Sequence, residues 1–241
     1  MEFWIEGIPA TYSTRLEREW KDLLGLKIPN YDRDTYTGKK ISWIKLKFIL
    51  PVPSSEKRSY NLDLDNLCHP VFSVLITKKG WFEGKRPKLE FWYAMKINGE
   101  SPGLKLSLET VKSIDLINEF GKPFFDNIYE GKLPSNATDP KIPTWLNTLG
   151  NFKLPNENER LIIWLQFGGT KRNIGEIPDG PVKHVIDCLY PIIGGPKGNP
   201  NDHIVDILQV EKSVPNLSND MVRICIWKRE KEELLDFIQK Q

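Results

Sequence analysis

The sequence predicts an α+β fold in which two similar mixed α/β units, each ordered strand, helix, strand, helix, strands, follow one another in one chain. Three observations support this prediction. The 241 residues exceed the usual single-domain size, and 39% hydrophobic residues are enough for a substantial core. The second half also repeats the pattern of the first. We expect the first half to span residues 1–115 and the second 125–241, with the boundary in the polar stretch 110–125.

The repeat begins with IEGIPATYSTRLEREWKDLLG (5–25) and YEGKLPSNATDPKIPTWLNTLG (129–150). Six positions of the two segments match in order, with one inserted residue. Chance similarity is the alternative, because short Gly/Pro turns and single tryptophans recur in unrelated chains. The matching residues are Glu6, Gly7, Pro9, Trp20, Leu24 and Gly25 with Glu130, Gly131, Pro134, Trp145, Leu149 and Gly150.

A strand rich in β-branched and aromatic residues follows in each half, ISWIKLKFIL (41–50) and RLIIWLQF (160–167). Each strand leads into an acidic turn and an apolar helix, DLDNLCHPVFSVL (63–75) and PDGPVKHVIDCL (178–189). Further strands are predicted at 89–97, 203–212 and 221–228. The segment 228–241 predicts a final amphipathic helix.

Charge and cysteine content limit the class of protein. The net charge is only +2, so any nucleic-acid surface must be local. The three cysteines are far apart and form no CxxC pair, which disfavours a disulfide framework and a zinc site. Without a signal peptide or an apolar run of about 18 residues, we expect a cytoplasmic protein that does not enter a membrane.

The acidic turn of the first half is a candidate metal site. If 63–65 is extended, Asp63 and Asp65 share a face while Leu64 points into the core, so both carboxylates reach one hard cation. Asn66 or Asp65 then caps the helix, and Pro70 marks its first turn. An ordinary helix cap is the alternative interpretation.

The second half carries a different set of candidates. Asp179 is predicted to cap a helix on which Lys183 lies one turn later, so the ammonium approaches whatever the carboxylate holds. The loop GGPKGNPNDHI (194–204) delivers Asp202 directly before a strand. A surface ion pair and ordinary turn chemistry are the alternatives.

A basic segment, KKGWFEGKRPK (78–88), is the candidate DNA contact. Its cations could bind phosphates while the aromatic residues stack on bases, and the alternative is a solvated hairpin with aromatic residues in the core. A second basic pair precedes the acidic turn of the second half. The candidate DNA-binding residues are Lys78, Lys79, Trp81, Lys85, Arg86, Lys88, Lys171 and Arg172.

The first half has, in order, a Gly-x-Pro start, a strand, an Asp-x-Asp-Asn-Leu turn into an apolar helix, a Gly-aromatic stretch and a strand ending near a lysine. This order resembles the RusA family of Holliday junction resolvases, and the matching string is NLDLDNLCHPVFSVLITKKGWF (61–82). The resemblance covers 3–97 more closely than 127–228. It implies a small homodimeric, Mg²⁺-dependent endonuclease that cuts four-way DNA junctions, with Mn²⁺ as a substitute. A tandem chain would then be a dimer fused into a monomeric pseudo-dimer.

The resemblance assigns the catalytic set to Asp63, Asp65, His69, Asp179, Lys183 and Asp202, with metal ligands Asp63, Asp65, Asp179 and Asp202. Each half departs from the family pattern. His69 stands at the lysine position of the first half, where Glu83 is the nearest downstream acid. Ile177 stands at the first aspartate position of the second half, with Glu176 beside it.

Two other functions remain open. A degenerate relative would bind branched DNA or a protein partner without cutting, which the departures at His69 and Ile177 favour. A restriction-type nuclease would use Asp65 with the Glu83-Gly84-Lys85 triplet, although Gly84 is unlike a residue of a central strand. The pair Glu211-Lys212 does not suit that chemistry, because adjacent strand residues face opposite ways.

Overall fold

A computed structural model describes residues 1–31, 43–52, 62–81, 91–110, 114–169, 181–212 and 220–241. These ranges form an α+β fold with one eight-stranded mixed sheet and seven α-helices, so the predicted fold class is confirmed. Within the same ranges, no helix has the length and apolar character needed to cross a bilayer.

The elements alternate in the predicted order in both halves. The strands are β1 (Glu2–Glu6), β2 (Trp43–Pro51), β3 (Phe91–Gly99), β4 (Gly103–Glu109), β5 (Phe125–Glu130), β6 (Glu159–Gly168), β7 (Val205–Lys212) and β8 (Met221–Glu230). The helices are α1 (Glu17–Lys27), α2 (Leu64–Ser73), α3 (Leu116–Phe120), α4 (Lys141–Leu149), α5 (Pro181–Asp187), α6 (Tyr190–Ile193) and α7 (Lys231–Lys240). A π-helical turn, Val74–Lys78, continues α2, and a 3₁₀ turn, Asp202–Ile204, precedes β7.

The strand order is β1-β4-β2-β3-β7-β6-β8-β5. Counted inward from either edge of the sheet, the four strands of one half lie in the order first, fourth, second and third. The pairs β2–β3 and β6–β7 are parallel, as crossovers through α2 and α5 require, and the other pairs are antiparallel. The halves meet at the antiparallel β3–β7 pair, from Phe91 opposite Glu211 to Met95 opposite Ile207, which we call the seam.

Two hydrophobic cores cover the two faces of the sheet. The larger core lies under α1, α2, α4, α5 and α6, and the smaller core lies under α3 and α7. Because the central strands are covered on both sides, they are apolar at nearly every position. Helix α2 packs against both β3 and β7, so it crosses the seam and brings its N-terminus beside the start of β7.

Candidate active site

The first two candidate residues lie at the N-terminus of α2. Asp63 is the residue before the helix, with extended backbone angles (φ −70°, ψ 133°), and Asp65 is in the first helical turn. The prediction that strand alternation aligns them is therefore wrong. The predicted cap is also wrong, because Asp63 occupies the cap position without a side-chain capping bond, and Asn66 Nδ2 donates to Asp63 Oδ2 at 3.0 Å.

Pro70 lies inside α2 instead of at its start, which corrects a second prediction. Proline has no N–H, so the Asn66 carbonyl one turn earlier loses its helical partner. The backbone N–H of Tyr12 donates to that carbonyl at 3.2 Å. The loop before α1 thus stabilises the helix that carries Asp65.

Lys183 of α5 connects the two halves. Its ammonium nitrogen lies 3.4 Å from Asp65 Oδ2 and 3.3 Å from Asp187 Oδ1. Burial alone would lower the pKa of Lys183, but Asp65, Asp187 and Asp202 outweigh burial and raise it. The lysine is therefore a permanent cation between carboxylates of different halves.

Asp202 completes the cluster from the 3₁₀ turn before β7. It is 8% exposed, and its carboxyl group shares a hydrogen bond with Asp63. Burial raises the pKa of Asp202 to about 8, with further increases from Asp63 and Asp65 and an opposing effect from Lys183. Burial also raises the pKa of Asp65 and of Asp187, against the effect of Lys183 on both. We call Asp63, Asp65, Lys183, Asp187 and Asp202 the seam cluster.

Four of the five residues of the seam cluster are aspartates. Carboxylate oxygens are the ligands that Mg²⁺ prefers, and crowded carboxylates raise one another's pKa. The Lys183 ammonium lies beside Asp65 Oδ2, and a hydrogen bond with Asp63 helps to raise the pKa of Asp202. Across the described ranges, no three His, Cys, Asp or Glu side chains form a group that could hold a metal ion.

A buried lysine lies under the seam cluster. Lys96 of β3 is 6% exposed, and its Nζ donates to the carbonyls of Leu62 at 2.6 Å and His203 at 2.7 Å. Asp206 Oδ1 lies 3.9 Å from the same nitrogen, and Arg160 Nε lies 3.4 Å from Asp206 Oδ2. Burial lowers the pKa of Lys96 and raises that of Asp206.

His69, predicted at the lysine position of the first half, has a different environment. It lies one turn after Asp65 on α2, and its ring packs on Tyr12 with 4.3 Å between centroids. It also interacts electrostatically with Glu17. The lysine beside Asp65 is Lys183, which comes from the other half.

The described part of the basic segment contains one core residue and two surface cations. Trp81 is 3% exposed, donates from Nε1 to the Pro29 carbonyl at 2.8 Å, and packs edge-on to Phe3 and Tyr31. A side chain buried in this way has no free face for stacking on a base. The position of Trp81 agrees with the alternative prediction of an aromatic residue in the core. Lys78 contacts Asp22 at 3.3 Å, and Lys79 contacts Asn30 at 3.2 Å.

The remaining candidates fall outside the described residues. These are Asp179, Lys85, Arg86, Lys88, Lys171 and Arg172, together with Glu83, Glu176 and Ile177.

Sequence reasoning missed Asp187 and Lys96 as site residues. Asp187 follows Lys183 by one turn in the predicted helix, so the i,i+4 spacing was a usable signal. Lys96 interrupts an otherwise apolar strand, LEFWYAMKI, which indicated a buried charge without revealing its partners.

No protein-family model matches the chain, and neither a curated protein nor a solved structure matches it. The resemblance to the RusA family therefore depends on the motif residues alone.

Proposed function

We propose that this chain is a Mg²⁺-dependent, structure-selective DNA endonuclease that resembles the RusA resolvases and acts on branched DNA. The observation that carries the proposal is the composition of the seam cluster. The first half supplies Asp63 and Asp65, and the second half supplies Lys183 and Asp202. Two aspartates of a D-x-D-N motif, a lysine and a further aspartate are the set that the resemblance implies for one active site.

We also propose that the chain is an intramolecular pseudo-dimer. The strand order read from the two edges of the sheet is the same, and the parallel and antiparallel pairs correspond one to one. Both features are those of a single unit repeated about an axis through the seam. A single chain would then do what a homodimer does in the family.

The chemistry of the proposed reaction assigns a task to each side chain. A bound Mg²⁺ polarises the phosphate and lowers the pKa of water. Asp63, Asp65 and Asp202 would hold the cation, and Asp202, whose pKa is raised to about 8, would have to release its proton. Lys183, held between Asp65 and Asp187, balances negative charge on the phosphate. Because the cluster is largely buried, the attraction between the carboxylates and the cation and that between Lys183 and the phosphate are stronger than in water.

Two further observations support the proposed DNA contact and the proposed cytoplasmic location. Lys78 is exposed on the turn after α2, within the segment proposed to grip phosphates. The three cysteines are buried and free, which supports a reducing cytoplasm. The other basic candidates fall in residues 82–90 and 170–180, outside the described ranges.

The test uses the purified chain with a labelled four-way junction and a matched linear duplex, each with Mg²⁺, Mn²⁺ or EDTA. We expect metal-dependent cutting of the junction and little cutting of the duplex, with loss of cutting in Asp65→Asn. Lys153→Ala, far along the chain on the loop before β6, is the control that should cut normally. Junction binding without cutting under any metal would reject the nuclease proposal.

That last outcome would favour a second function, a module that binds branched DNA without cutting it. One observation supports this alternative. In the part of the chain that the structure describes, the Lys183 ammonium lies 3.4 Å from Asp65 Oδ2, and no group of three side chains that could hold a metal ion is formed.

A further inference from the structure

The buried Lys96 side chain hydrogen-bonds two backbone carbonyls from different halves of the chain. Its ammonium group has three N–H donors, and the Leu62 and His203 carbonyls accept two of them at 2.6 and 2.7 Å. Leu62 directly precedes Asp63, and His203 directly follows Asp202. One buried side chain therefore holds the backbone of both acid-bearing segments, which come from different halves of the chain.

The location of Lys96 explains why the seam needs such a contact. The residue lies near the carboxyl end of β3, and the seam ladder ends at Met95 opposite Ile207. Beyond that pair, strand hydrogen bonds no longer connect the two halves here. The two bonds from Lys96 continue the connection at the level where Asp63 and Asp202 meet.

We propose that Lys96 is a positioning residue that sets the distance between the Asp63 and Asp202 segments and so aligns the carboxylates for catalysis. This inference rests on the proposed function for its catalytic part. A shift of about 1 Å between reacting groups is enough to reduce a rate strongly, and residues behind metal ligands commonly contribute 10- to about 100-fold.

Asp206 provides a matched control. It belongs to the same buried network, 3.9 Å from Lys96 and 3.4 Å from Arg160, but it contacts neither the Leu62 nor the His203 carbonyl. In Asp206→Asn the Lys96 amine still has both carbonyls as acceptors. In Lys96→Met the side chain keeps a similar length and loses every donor.

The first readout is independent of nuclease activity. Amide hydrogen exchange is measured for 62–66 and 201–205 in wild type, Lys96→Met and Asp206→Asn. We expect faster exchange in both segments in Lys96→Met and wild-type protection in Asp206→Asn. Unchanged protection in Lys96→Met, or equal loss of protection in the control, would overturn the positioning role.

The second readout is single-turnover cleavage of a four-way junction. Lys96→Met should lower the cleavage rate constant by about 10- to 100-fold, raise the Mg²⁺ concentration needed, and leave the junction Kd unchanged. A purely structural role would lower the amount of folded protein and leave the rate constant of the folded fraction intact. Asp206→Asn should cut near the wild-type rate.

The two proposals can fail separately. If wild type cuts nothing but Lys96→Met still loosens both segments, the nuclease proposal fails and the positioning of the acids stands. If the variant does not fold, reductive methylation of native wild type decides. Lys96 should resist modification while the exposed Lys78 and Lys240 react, and modification at their rate would overturn the inference.

Discussion

The two halves of the molecule share an order of strands but bring different side chains to the seam cluster. The first half contributes Asp63 and Asp65 from the start of α2, supported by Lys96 beneath them. The second half contributes Lys183 and Asp187 from α5 and Asp202 from the turn before β7. Each half lacks what the other supplies. A motif residue that is missing from one repeat can therefore be supplied to the cluster by the other repeat.

The motif residues that remain are a less complete set. The sequence has Asp179 with Ile177 in place of a first aspartate, and His69 in place of a lysine. The His69 ring packs on Tyr12. Residues 82–90 and 170–180 lie outside the described ranges. If the proposed function is correct, we expect one site assembled from both halves and not one site in each half.

The largest expected effect comes from removing one cluster residue from each half. Asp65→Asn and Lys183→Met should each reduce junction cleavage by about 100-fold or more, because the first loses a carboxylate that would hold the cation and the second loses the charge that would balance the phosphate. The double variant should be little worse than either single variant, since both residues act in one site. Single-turnover rates on a labelled junction measure all three.

Two sites, one in each half, would give a different pattern. Each single variant would keep about half of the cleavage, and only the double variant would lose it. His69→Gln is the matched control from α2, and it should retain nearly full activity because its ring contacts Tyr12 outside the cluster.

The second prediction concerns the product. With one working site, the chain should cut one strand in each binding event, so a supercoiled plasmid with an extruded cruciform should give mainly nicked circles. Gel electrophoresis over an early time course separates nicked from linear DNA. Linear DNA that accumulates without a nicked precursor would instead require two coordinated sites.

The third prediction follows from the raised pKa of Asp202. Between the ordinary pKa near 3.8 and the raised pKa of about 8, Asp202 keeps a proton in the folded protein that the unfolded chain has released. Without metal, the free energy of unfolding should therefore fall as pH rises across this window, by at most about 1.4 kcal/mol per pH unit for one group, and level off above it. Urea titrations with EDTA measure this slope.

Asp202→Asn removes the titrating group and should flatten that slope, while Mg²⁺ affinity of wild type should increase with pH through the same window. The matched control is Asp139→Asn, because the Lys141 ammonium lowers the pKa of Asp139 to about 2 and leaves nothing to titrate there near neutral pH. An identical slope in wild type and Asp202→Asn would contradict the raised pKa of Asp202.

The smallest expected effect tests the seam away from the cluster. Tyr93 lies opposite Gln209, is fully buried, and its hydroxyl has no hydrogen-bond partner among the residues that the structure describes. Tyr93→Phe should therefore raise the free energy of unfolding by about 1 kcal/mol. Tyr129→Phe is the control, since the Tyr129 hydroxyl donates to the Lys132 carbonyl at 3.3 Å and its loss should destabilise the protein slightly. Thermal and urea unfolding measure both variants.

Much of the fold could be predicted because local sequence patterns indicate most of its strands and helices. Runs of β-branched and aromatic residues gave β2, β6 and β8 within a few residues of their observed bounds, and the repeat gave the order of elements in both halves. The junction before α2 was less predictable. A D-x-D pattern is compatible with a strand or with a helix start, and Pro70 lies inside α2 because Tyr12, far away in sequence, satisfies the freed Asn66 carbonyl.

The candidate site was predicted as separate residues but not as one cluster. Asp65 and Lys183 are 118 positions apart, and their contact depends on how β3 pairs with β7. Pairing of strands from different halves leaves no local sequence signal, because many registers would bury the same apolar residues. Lys96 was missed for the same reason, since both of its carbonyl partners come from distant segments.

The seam also has a consequence for how the protein folds. Its ladder pairs Phe91 with Glu211, so closing it costs more loop entropy than forming the neighbouring strand pairs within each half. We expect the two halves to form their own pairings first and to join last. The seam cluster, which takes residues from both halves, would then be among the final features to assemble.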